Sequence, residues 1–132
     1  MSGTHAGRLT VRRADLAEAV LERLVLALAA RVDLPLDRIA DAQIVTEALI
    51  ATASHNSSNG ALCIDLGAGP EGVDLSVGPL SIGGAARVVA ESEVPGVGVV
   101  LDRLVDRWDA TPLDSDTEVL RLTIGPGAPT SP

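Results

Sequence analysis

Among the residues able to do chemistry, Glu47 stands out. It sits in Asp41-Ala42-Gln43-Ile44-Val45-Thr46-Glu47-Ala48, beside an apolar stripe rather than in the middle of a charged face. A carboxylate in that setting can act as a general base or polarise a water molecule. The same position also suits an exposed helix carboxylate, or an ion pair with an arginine such as Arg87. The second chemical feature is Gly96-Val97-Gly98. Glycines leading into a helix leave backbone N–H groups open, and with the positive end of the helix dipole these can hold a phosphate. They equally allow a tight helix entry with no ligand at all. His55 reads as a helix C-terminal residue that satisfies carbonyls, and Cys63 as a small buried apolar strand residue. Asp114, Asp116 and Glu118 read as a solvated turn, because the ligand and glycine spacing of a calcium loop is missing.

Composition removes several function classes. The chain has 132 residues, which bounds it to one domain, and 46% hydrophobic with 21% charged residues is a globular composition. One Trp and no Tyr or Phe leave no aromatic platform for single-stranded nucleic acid. The net charge is −8, all 10 basic residues are Arg, and there is no Lys. That excludes the basic footprint of a nucleic-acid or anionic-membrane binder, and it excludes Schiff-base and phosphate-loop lysine chemistry. A single Cys forms no internal disulfide, and 2 His do not furnish a His/Cys metal site. The polar first ten residues carry no apolar signal core. The longest apolar run, residues 24–30, is far short of the roughly twenty residues that cross a bilayer. A cytoplasmic location is expected, with neither nucleic acid nor membrane as a partner.

The elements that must position these residues can be read from periodicity. Residues 8–11 read as a short edge strand. A helix is predicted over 14–32, with Leu16, Val20, Leu24 and Leu28 as its stripe, widened by Ala17, Leu21 and Val25. Asp33-Leu34-Pro35 stops it. A second helix over 36–54 carries Glu47, and the cluster at 55–60 ends it. Residues 61–67 and the alternation of Val73, Leu75 and Val77 predict a hairpin turned at Gly69-Pro70-Glu71-Gly72. A Gly-rich stretch over 78–98 includes a short helix at 84–91. A third helix is predicted from Gly96 or Val97 to Arg107, with Trp108 at its end, and a last strand over 118–124. The order predicts an α+β two-layer sandwich: a mixed, mainly antiparallel sheet with helices on one face.

With these residues in place, the chain resembles the histidine kinase-like (GHKL, Bergerat) ATPase fold. Within that fold it is similar to the small anti-sigma factor serine kinases and to short ATP-binding regulators of actinobacteria. Residues 41–48 resemble the opening of the family's Glu- and Asn-bearing helix, and Gly96 to Trp108 resembles its glycine-led helix ending in Trp. The resemblance covers residues 8–125, with 126–132 expected to be a disordered tail. It implies Glu47 as catalytic base; Gly78, Gly96, Val97 and Gly98 as nucleotide contacts; and ATP with Mg²⁺ as cofactors of a functional pocket. Gly83-Gly84 is the hinge of the implied lid.

The departures are as informative. The family's magnesium-holding Asn falls on Ala51, which has no oxygen to offer a hard cation. His55 matches a His often found one turn on, and Mg²⁺ rarely takes imidazole. Leu75-Ser76-Val77-Gly78-Pro79-Leu80-Ser81 replaces the family's Asp-x-Gly-x-Gly, with Ser76 or Pro79 where the adenine-reading Asp would stand. Losing that acceptor costs affinity and specificity. The resemblance therefore implies an anti-sigma-type regulator of transcription, a pseudoenzyme with weak or lost ATP binding. It would work by contact with a sigma factor, an anti-sigma antagonist or a second copy of itself. The alternatives are an active ATP-dependent serine/threonine protein kinase and an unrelated small α+β interaction domain.

Overall fold

A computed structural model describes residues 4–11, 14–58, 61–69, 71–94 and 98–125. The elements run β1 (Thr4–Val11), α1 (Ala14–Arg31), α2 (Leu36–Ala53), β2 (Leu62–Gly69), β3 (Gly72–Ser81), α3 (Gly84–Glu91), β4 (Glu93–Val94), β5 (Gly98–Val99), α4 (Val100–Leu104), β6 (Arg107–Pro112) and β7 (Thr117–Ile124). Five strands form one sheet in the order β1-β2-β3-β7-β6, and β4 and β5 make a separate two-stranded ladder. Every pairing among the described residues is antiparallel, so the expected mixed sheet is corrected to an antiparallel one. The α+β class stands. No helix among the described residues is long and apolar enough to cross a membrane.

The period-two pattern decides which face the helices cover. Ile64 pairs with Val77, Leu66 with Leu75 and Ala68 with Val73; Val73, Leu75 and Val77 in turn pair with Ile124, Leu122 and Leu120. All of these are buried, in one cluster with Leu21, Val25, Val45, Leu49, Val88, Val100 and Leu101 of the helices. The opposite face presents Asp65, Asp74, Ser76, Arg107, Asp109, Arg121 and Thr123. Among these, Asp74 accepts a hydrogen bond from Thr123 Oγ1 at 2.9 Å, and Arg107 pairs with Glu71 at 2.7 Å. Cys63 lies on this face and is half-buried, where a buried apolar strand residue was expected. Its neighbours Leu62 and Ile64 take the core side instead.

In α1 the buried face is Leu21, Val25, Leu28 and Ala29, while Val20 and Leu24 are 48% and 41% exposed. The expected stripe is thus rotated. Apolar residues ring this helix almost completely, so spacing alone does not select the inward side. The chain then reverses through Asp33, at φ 57°, and the Leu34 amide closes back on the Ala29 carbonyl at 3.0 Å. In α2, Ala42, Val45, Leu49 and Ala53 face the core, leaving Ile44, Glu47 and Ala51 on an outer side.

The third predicted helix is shorter than its pattern. As α4 it spans five residues, and Trp108 lies on β6 opposite Leu122, packed against the core. Two contacts end the helix. The Asp106 amide donates to the Thr123 carbonyl at 2.8 Å, and the Asp106 carboxylate takes Arg38 Nη2 at 2.6 Å. Both commit the chain to the sheet before another helical turn can form. The expected tail, 126–132, lies outside the described residues.

Candidate functional site

The residues singled out for chemistry converge only in part. Glu47 and Ala51 line a groove of about 380 Å³ between α2 and the end of α3. Its other lining residues are Ile44, Ala48 and Thr52 on α2, and Glu91, Ser92 and Glu93 where α3 runs into β4. Glu47 is exposed and has no hydrogen-bond or ion-pair partner among the described residues, so its expected alternative pairing with Arg87 does not form. Arg87 instead donates Nε to Asn56 Oδ1 at 3.0 Å. Asn56, 8% exposed, returns its amide to the Thr52 carbonyl and to Glu91 Oε1 at 3.1 and 3.3 Å. Arg87, Asn56 and Glu91 thus tie α3 to the end of α2. His55, next to Asn56 in a short 3₁₀ turn, is exposed to solvent.

Gly78 is not at this groove. It lies in β3, where a Cβ would come within 3.0 Å of Val119 Cγ2 and 3.1 Å of the Glu118 carbonyl. Close strand packing is sufficient reason for glycine there. Gly96 and Val97 lie outside the described residues. Gly98 is described, in β5, at φ +95°, a left-handed conformation that favours glycine. Gly83 is likewise left-handed, at φ 85°, as the residue that opens α3.

Helix N-termini are where a phosphate would be held, since the first amides of a helix have no partner inside it. At α4 the first two of those amides are already engaged. Val100 N donates to the Ser92 carbonyl at 2.7 Å and Leu101 N to Ser92 Oγ at 3.1 Å. Ser92 is 2% exposed, and its hydroxyl donates onward to the Val89 carbonyl at 2.7 Å. Asp102 adds a carboxylate in the same first turn, receiving Trp108 Nε1 at 3.3 Å. At α3 the equivalent role falls to Glu118, whose Oε2 accepts the Ala85 amide at 2.9 Å. Glu118 is buried, so its expected place in a solvated turn is corrected; Asp114 and Asp116 do form that turn. Neither cap is visible in the sequence. Ser92 lies 9 residues from the amide it caps and Glu118 lies 33 from its own, beyond the reach of local capping patterns.

Electrostatics away from the groove are local. The Asp114 carboxyl is held below the ordinary aspartate range by the Asp116 amide and by Thr117. Arg107 is held more firmly protonated by Glu71. Inside the fold, Arg38 is 4% exposed and binds Asp41 at 2.8 Å, Asp106 at 2.6 Å and the Gly125 carbonyl at 3.1 Å. It joins the start of α2 to both ends of the last hairpin. Among the described residues, no group of three or more His, Cys, Asp or Glu side chains is placed to hold a metal ion.

Comparison of the chain with family models returns no match, and comparison with curated proteins returns none.

Proposed function

We propose that this chain is a cytoplasmic regulatory domain with a histidine kinase-like ATPase architecture, acting by protein contact in an anti-sigma-type switch and not by turning over ATP. The order helix, helix, hairpin, short helix, helix, hairpin around one antiparallel sheet supports the architecture. A sigma factor or an anti-sigma antagonist is the class of partner that the resemblance implies, and the chain would work as a dimer or with such a partner.

One observation carries the loss of nucleotide use: the first amides of α4 are taken by Ser92. A phosphate would have to displace a buried, satisfied hydroxyl and sit beside Asp102. The groove itself adds Glu47, Glu91 and Glu93 and, among the described residues, no basic side chain. Like charges there disfavour a triphosphate. Ala51 supplies no ligand for a bridging cation. The residues present do not fit ATP·Mg²⁺.

Calorimetric titration with ATP and ADP, with and without Mg²⁺, tests the reading. The expected result is no saturable heat at millimolar nucleotide. Micromolar, Mg²⁺-dependent binding overturns it and returns the chain to the kinase reading, for which the unpaired Glu47 carboxylate is the feature in favour.

A further inference from the structure

The groove between α2 and the α3–β4 segment has a floor and a rim of different character. Ile44, Ala48 and Ala51 give it apolar surface, while Glu47 on one wall and Glu93 on the other are exposed carboxylates without partners among the described residues. Glu91 is already bound by Asn56. Among the described residues, no Arg or His lines the groove. A solvated acidic surface would need no apolar floor, and an apolar ligand would leave the two carboxylates desolvated and unpaired, at a cost. One kind of side chain satisfies both halves: a long aliphatic stem ending in a planar cation.

We propose that this groove receives an arginine side chain from a protein partner, the stem lying over Ile44, Ala48 and Ala51 and the guanidinium between Glu47 and Glu93. The inference rests on the reading that this site serves protein contact. It adds the chemistry of the contact: an exposed segment of the partner that presents an arginine. Arginine suits the site better than lysine, because a guanidinium can be shared by two carboxylates through separate N–H groups. The chain's net charge of −8 steers such a partner toward it.

The test uses a short peptide with one central arginine among alanines and leucines, and a twin with neutral citrulline in its place. Amide shifts of the ¹⁵N-labelled full chain are monitored through each titration. The arginine peptide is expected to move residues 44–52 and 91–93, and the citrulline peptide to leave them in place. Glu47→Gln combined with Glu93→Gln should weaken the arginine peptide by about tenfold or more. Three results overturn the proposal: equal shifts with citrulline, no groove shifts at millimolar peptide, or shifts confined to the open sheet face around Asp65, Asp74 and Asp109. Spermidine binding as tightly as the peptide also overturns it, since the occupant would then be a free polyamine. Nucleotide binding in calorimetry sinks the underlying reading. Silence toward both nucleotide and peptide sinks this inference alone.

Discussion

At the residue scale, two ion pairs with similar distances have different consequences. Arg38 to Asp106 is 2.6 Å with the arginine side chain 5% exposed, whereas Arg107 to Glu71 is 2.7 Å between side chains 63% and 72% exposed. Removing Arg38 leaves two carboxylates and the Gly125 carbonyl without their donor, so Arg38→Ala should lower unfolding free energy by about 3 kcal/mol in urea. Arg107→Ala should leave the urea midpoint where it is, because water and salt screen that pair. Equal losses in the two variants would contradict this ranking. Asp114 gives the pH prediction. Its folded pKa is depressed, so its contribution to stability is complete above the ordinary aspartate range. That contribution is lost as pH falls through the lower folded value. A carboxyl-carbon NMR titration should place its midpoint below that of an unfolded-chain aspartate; a midpoint at or above it would refute the assignment. Of these residues, Asp114 was legible as part of a turn, because turn chemistry is local. The role of Arg38 was not legible, since Asp106 is 68 residues away.

At the scale of elements, α4 depends on a cap borrowed from the end of α3. Ser92→Ala removes the acceptor of the Leu101 amide and should cost about 1 to 2 kcal/mol. Hydrogen exchange over residues 98–104 should rise well before the core strands respond; unchanged protection there would show that Ser92 is not the cap. Gly72 is a second element-level dependency. At φ +119° a Cβ added there would run into the Ile124 carbonyl of the neighbouring strand. Gly72→Ala should therefore unfold the chain at a clearly lower temperature by differential scanning calorimetry, and an unchanged Tm would refute the packing argument. Strong, short-range signals made most elements legible: the hairpin of β2 and β3, the short helix α3 and the last strand all lie within a few residues of their expected spans. The failure around Trp108 has a long-range cause. Residues 97–107 carry a helical pattern, yet Thr123 and Arg38 capture Asp106 and turn the next residues into β6. Intrinsic preference lost to tertiary contact there. The candidate site divides the same way. Glu47 and Ala51 share the groove because both lie on α2, whereas Gly78 matches a site glycine only in motif and stands in the sheet for packing.

At the scale of the whole molecule, the sheet keeps one face for its helices and leaves the other lined with Asp65, Asp74, Asp109, Arg107 and Arg121. The groove above α2 combines an apolar floor with the Glu47 and Glu93 carboxylates, which have no partner among the described residues, and the first turns of α3 and α4 are capped by the chain's own side chains. On the proposed reading, this molecule keeps a nucleotide-binding architecture while filling its anion positions with its own side chains. An amide NMR titration of the full chain with ATP·Mg²⁺, read at Val100, Leu101 and Asp102, probes those positions one by one. These amides should stay in place at millimolar nucleotide, in the native chain and in Glu47→Gln alike. Saturable movement of Val100 and Leu101 at micromolar nucleotide would overturn the reading, because the amides held by Ser92 would then be the ones that bind phosphate.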